Sequence, residues 1–208
     1  VSGWTRTNID GTVYYFKPGA GDQYGGTYAT YVGGNSSDGI VSNIIPSMQG
    51  FFVHVTDGAF PITATFGVTN SVRINNTSQT FSKSESRGSA DLLRLTASFS
   101  TDTAVKDQML VYTDLKATDM FDTDMDALKL MNTDLAVPNL YALSSDDYKL
   151  SISGLPPFAN SYLRIPLGLK ANTAGTVVFK LKSLAGTFLG NTIALFDSVA
   201  GITRYLYN

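Results

Sequence analysis

The stretch Asp91-Leu92-Leu93-Arg94-Leu95-Thr96-Ala97-Ser98-Phe99 decides the fold class. Leu93, Leu95, Ala97 and Phe99 recur at every second position, with Arg94, Thr96 and Ser98 between them. A period of two puts the four apolar side chains on one face of an extended chain, whereas a helix would scatter them around its axis. The segment therefore predicts a strand with one face against a core.

Similar runs lie on both sides of it. Upstream, Gly11-Thr12-Val13-Tyr14-Tyr15-Phe16 is aromatic and β-branched and ends at Pro18-Gly19. Residues 27–32 alternate up to Gly33-Gly34, and residues 49–55, 61–66 and 71–75 give three further strand signals. Downstream, strands are expected at 108–113, 148–152, 163–169, 177–181, 193–196 and 203–207. Turn pairs such as Ser153-Gly154, Pro156-Pro157 and Ala200-Gly201 separate several of them. Residues 124–132 fit a short helix or a strand, and Leu128 and Leu130 favour the strand. Many short strands about ten residues apart predict an all-β protein, an antiparallel β-sandwich of jelly-roll or immunoglobulin-like type preceded by a smaller β module. The Ser-rich run at 77–90 marks the division. The expected organisation is an N-terminal β module at 1–76, a linker or loop at 77–90 and the sandwich at 91–208.

Composition narrows the function classes. The 208 residues carry a net charge of −2, so no basic footprint for nucleic acid exists. No apolar run approaches the roughly 18 residues of a membrane-spanning helix. Cysteine is absent, which excludes disulfides, thiol catalysis and thiolate metal sites. His54 is the one histidine, so a multi-histidine metal site is excluded and a Ser-His-Asp triad would need that residue. Charged residues make up 15% of the chain, low against about a quarter in ordinary globular proteins, which fits a protein outside the cell or on its surface. Val1 opens the sequence in place of Met, as expected of a mature product or a fragment.

The sharpest chemical signal is the acidic series Asp119, Asp122, Asp124 and Asp126. Hard oxygens at alternate positions suit calcium, although neither the Gly nor the Glu of an EF-hand loop follows them. In an extended strand the last three would share a face, where a cation, Lys116 or Lys129 would have to balance them. The expectation is an acidic turn that needs no cofactor, with calcium the ion it would take. A second signal is aromatic: Trp4, Tyr14, Tyr28 and Tyr31 could pair across strands or stack on sugar rings. His54 lacks a nucleophile-elbow motif nearby, and no phosphate loop occurs, so no enzymatic activity is expected.

Several blocks resemble a known family. Trp4-Thr5-Arg6-Thr7-Asn8-Ile9, Val13-Tyr14-Tyr15-Phe16 and Gln49-Gly50-Phe51-Phe52-Val53 are similar to a block of large Bacteroidetes proteins exported by the type IX secretion system. Tyr148-Lys149-Leu150-Ser151-Ile152 and Pro166-Leu167-Gly168-Leu169-Lys170 resemble the β-sandwich that precedes the sorting signal in those proteins. The resemblance implies an extracellular or outer-surface location. The expected function is a non-catalytic structural or adhesive module of a secreted, cell-surface-attached bacterial protein. The alternative is a carbohydrate-binding module using the N-terminal aromatics, and the third reading is a glycoside hydrolase domain. The partners expected are a surface polysaccharide or neighbouring copies of the chain. Residues 203–207 are expected to form a strand whose outer edge is open, or completed by such a neighbour.

Overall fold

A computed structural model describes residues 4–19, 24–74, 91–158 and 162–207. The Ser-rich segment at 77–90 lies outside the described residues. The fold is all-β, with no α-helix among the described residues and hence no helix long and apolar enough to cross a membrane.

The N-terminal region contributes β1 (Trp4–Thr7), β2 (Val13–Pro18), β3 (Gly26–Val32), β4 (Asn35–Ser36) and β5 (Thr65–Val68). The later chain forms β6 (Leu92–Phe99), β7 (Asp102–Thr113), β8 (Ala127–Leu128), β9 (Asn139–Leu143) and β10 (Lys149–Leu155). It ends with β11 (Leu167–Lys170), β12 (Val177–Ala185), β13 (Ile193–Asp197) and β14 (Ile202–Tyr207). Seven of these make one sheet in the order β11-β9-β10-β7-β6-β12, with β8 alongside β10. Strands β2, β3 and β4 form a second sheet, and β1–β5 and β13–β14 form two-stranded pairs.

The alternation in β6 does what the sequence predicts. Leu93, Leu95 and Ala97 enter an apolar core with Met109 and Val111 of β7 and Leu140 of β9. The opposite face of the large sheet is buried as well. Leu110, Tyr112 and Ile152 pack there with Val32 of β3 and Ala127 of β8. The large sheet is therefore covered on both faces, and β3 lies over the second one. Polar bonds fasten this contact: Thr30 Oγ1 lies 2.9 Å from Ser151 Oγ, and Thr12 Oγ1 donates to the Asp126 carbonyl at 2.9 Å. Arg94 projects from the same face of β6, where its Nη2 and Nε donate to the carbonyls of Ser36 and Ser37 at 2.8 and 3.0 Å.

Three expectations need correction in detail. One pair in the sheet, β7 with β10, is parallel, Ile152 standing opposite Leu110. Parallel neighbours need a long crossover, and residues 114–148 supply it. Residues 49–55 do not form a continuous strand. Their backbone bonds are divided between Tyr14, which exchanges two with Phe52, and Asp10, whose N–H donates to the His54 carbonyl. At 70–72 the chain makes a 3₁₀ turn, and Ile74 is exposed, because no sheet edge receives the alternating residues. Residues 124–132 resolve as a turn followed by β8.

Candidate functional site

The two-residue turn Gly33-Gly34 between β3 and β4 has φ of 57° and 90°, the left-handed geometry of a tight hairpin. Beside it opens a groove of about 450 Å³. Gly11, Gly33 and Gly34 line it together with Trp4, Tyr31, Phe66 and Asn43. Gly11 lets the Arg6 and Asp124 side chains close over the backbone. A Cβ there would sit 2.9 Å from Asp124 Oδ1 and 3.1 Å from Arg6 Nη1.

Those two side chains form the charged rim. Arg6 Nη2 donates to Asp124 Oδ1 at 2.6 Å, and both side chains are substantially exposed. Trp4 is held by β1–β5 pairing, which places it edge-on to Phe66 with ring centroids 5.1 Å apart. Tyr31 stands opposite Val13 in the β2–β3 ladder, so both face the groove. Burial raises the Tyr31 phenol above its ordinary value, so its hydroxyl stays a donor through the neutral range.

Of the four aromatics singled out in the sequence, the groove brings together Trp4 and Tyr31. Tyr14 and Tyr28 share the other face of the β2–β3 sheet, as the period of two requires. Tyr14 is 2% exposed and lies in the core, so no ligand can stack on it. Tyr28 packs against Phe16 and Phe52 at centroid distances of 5.3 and 6.2 Å. Arg6 and Asn43 carry no sequence signal of their own; they join the site through long-range folding.

The acidic series is dispersed because the chain turns at 122–125 instead of running extended. Asp122 Oδ2 accepts the Thr118 N–H at 2.6 Å and its hydroxyl at 2.9 Å. Asp126 is buried and accepts the N–H groups of Asp122 and Gly154 at 2.8 and 2.7 Å. Burial first, then the charges of Asp122 and Asp146, push its carboxyl up to about 7 against those two hydrogen bonds. Asp124 turns to Arg6, and Asp119 is exposed. Among the described residues no three His, Asp or Glu side chains converge with metal-site geometry. Lys129 does not balance these acids; it pairs with Asp107.

Asp10 lines the groove, and His54, which does not, donates from Nδ1 to Asp10 Oδ2 at 2.7 Å. Thr56 Oγ1 donates to Asp10 Oδ1 at 2.6 Å. The hydroxyl in this network thus holds the carboxylate and does not face the imidazole, while Nε2 lies 4.0 Å from Asp57 Oδ1. Triad chemistry needs the hydroxyl on the far nitrogen. Here the three side chains tie the β1–β2 connection at Asp10 to residues 54–56.

No curated protein and no solved structure matches the chain. Residues 2–208 match the model of a family described as a domain of unknown function, DUF8693. The chain belongs to that family over nearly its whole length.

Proposed function

We propose that the chain is a non-catalytic adhesive module that binds a polysaccharide in the Trp4–Tyr31 groove, as part of a secreted bacterial surface protein. The observation that carries this reading is the lining of the groove: the aromatic side chains of Trp4, Tyr31 and Phe66 share one open concavity with Arg6, Asn43 and Asp124. A sugar ring offers an apolar C–H face to an aromatic ring and hydroxyls to charged and amide groups, which is the division of labour found here. The surface location is supported by low charge and by the resemblance to type IX-exported proteins. The absence of catalysis is supported by the His54 network, in which both Asp10 oxygens are occupied.

The test is a glycan array followed by polysaccharide pull-down, run on the native chain and on Trp4→Ala and Tyr31→Ala. The expected result is a set of glycans held by the native chain and bound about tenfold more weakly by each variant, a loss of about 1.4 kcal/mol. Equal retention by both variants would contradict the groove as the site.

A second reading, contact with neighbouring copies, is favoured by one observation. Among the described residues strand β14 pairs with β13 alone, and Phe196 and Tyr205 are exposed on that hairpin. Its outer edge could extend a neighbour's sheet by strand addition. Light scattering across a concentration series would detect the assembly.

A further inference from the structure

Deep in the large sheet, Lys129 and Asp107 form an isolated pair. Lys129 Nζ lies 2.7 Å from Asp107 Oδ1 and 2.6 Å from Oδ2, and the two side chains are 1% and 2% exposed. Asp107 stands on β7 opposite Ala97, which is completely buried. Lys129 follows β8, its N–H donating to the Lys149 carbonyl at the start of β10. A third group touches the carboxyl: the N–H of Leu140 donates to Oδ2 at 2.7 Å.

We propose that Lys129 and Asp107 are joined by an amide cross-link formed by the folded chain itself. A buried ion pair gives up the hydration of both charges. In the first step one proton passes from the ammonium to Oδ1 across the 2.7 Å contact, which leaves a neutral amine against a neutral carboxylic acid. The neutral amine is a nucleophile, held in contact with the carboxyl by the packing of three strands. The Leu140 N–H is aimed at Oδ2, where negative charge develops as Nζ adds to Cγ. The Nζ–Cγ bond forms, the Cγ–Oδ1 bond breaks, and the Oδ1 hydroxyl takes one proton from Nζ and departs as water. The products are one amide and one water, with no change of oxidation state. The bond would tie β7 to the segment that follows β8 and is bonded to β10, the strand that runs parallel to β7. It would close a loop between residues separated by 22 positions, and so restrict the unfolded chain as a disulfide does in a protein with no cysteine.

The test is the intact mass of the denatured native chain, with tandem mass spectrometry of its peptides. The expected mass is one water below that calculated for the unmodified linear chain, with a branched peptide joining the segments around 107 and 129. Lys129→Arg and Asp107→Ala should each return to their full calculated masses. Asp107→Asn should converge on the same mass as the native chain, because it forms the same amide with loss of ammonia. A native chain of full mass after prolonged incubation in the folded state would overturn the proposal, and that measurement needs no variant to fold. So would a one-water deficit located at Asp10-Gly11, Asp38-Gly39 or Asp57-Gly58, where a succinimide accounts for the same loss.

Discussion

The large sheet and the N-terminal region are built from the same residue types but held by different forces. In the sheet, Leu93, Leu95, Met109, Val111, Leu140 and Leu150 make one apolar cluster. In the N-terminal region the burial is largely polar: Asp10, Thr12, Thr30, Asn35, Ser36 and Asp38 are all buried. Asp38 illustrates the difference. Burial raises its carboxyl, but the Lys17 charge and the N–H groups of Val41 and Ile40 outweigh that and hold it below its usual range. A region held by hydrogen bonds can leave a groove open beside it. A region held by apolar contact closes its gaps. The difference accounts for where the candidate site lies.

The largest effect should come from the apolar side. Leu140→Ala removes a fully buried side chain at the centre of the cluster and should cost about 2–5 kcal/mol, read as a lower denaturation midpoint for the whole chain. Next is the polar fastening. Arg94→Ala strips the Ser36 and Ser37 carbonyls of their donor, and should cost about 1–3 kcal/mol. Its signature is regional: hydrogen exchange should accelerate at residues 35–44 while β7 and β10 keep their protection. Uniform acceleration would mean that the two regions unfold as one and would break the comparison.

A pH series sharpens the junction between the regions. Asp126 keeps its proton in the folded chain up to about pH 7, but loses it near 3.8 when unfolded. The folded state holds the extra proton between those values, so the contribution to stability is complete below about pH 4 and lost as pH rises through about 7. The melting temperature of the native chain should therefore fall relative to that of Asp126→Asn between those limits. Parallel curves would contradict the assignment. The smallest effect belongs to Arg6→Ala. Its pair with Asp124 is exposed, so stability should change by less than about 1 kcal/mol, while glycan retention on the array should drop.

The same contrast explains what the sequence made legible. Where one face of a strand is apolar and the other polar, as in β6, alternation marks the strand to within a residue. Residues 49–55 and 71–74 carry a strand pattern too, yet among the described residues no continuous sheet edge receives them, and edges are set by distant parts of the chain. Strand β1 reads Trp4-Thr5-Arg6-Thr7 and carries too few apolar positions to register. At the site, Trp4 and Tyr31 stand out by type, and hairpin alternation separates Tyr31 from Tyr28. The Arg6–Asp124 contact spans 118 positions, and no local pattern announces a pairing of that range. The acidic series misleads for a related reason: a period of two holds only in extended chain, and residues 122–125 turn.

The most direct measurement of the account is hydrogen–deuterium exchange with and without an oligosaccharide drawn from the array hits. Peptides covering residues 4–13, 31–34 and 43 should gain protection on binding, and β6, β7 and β10 should be unchanged. Protection gained at β13–β14 instead, or none near Trp4 and Tyr31 at saturating ligand, would contradict the groove as the binding site.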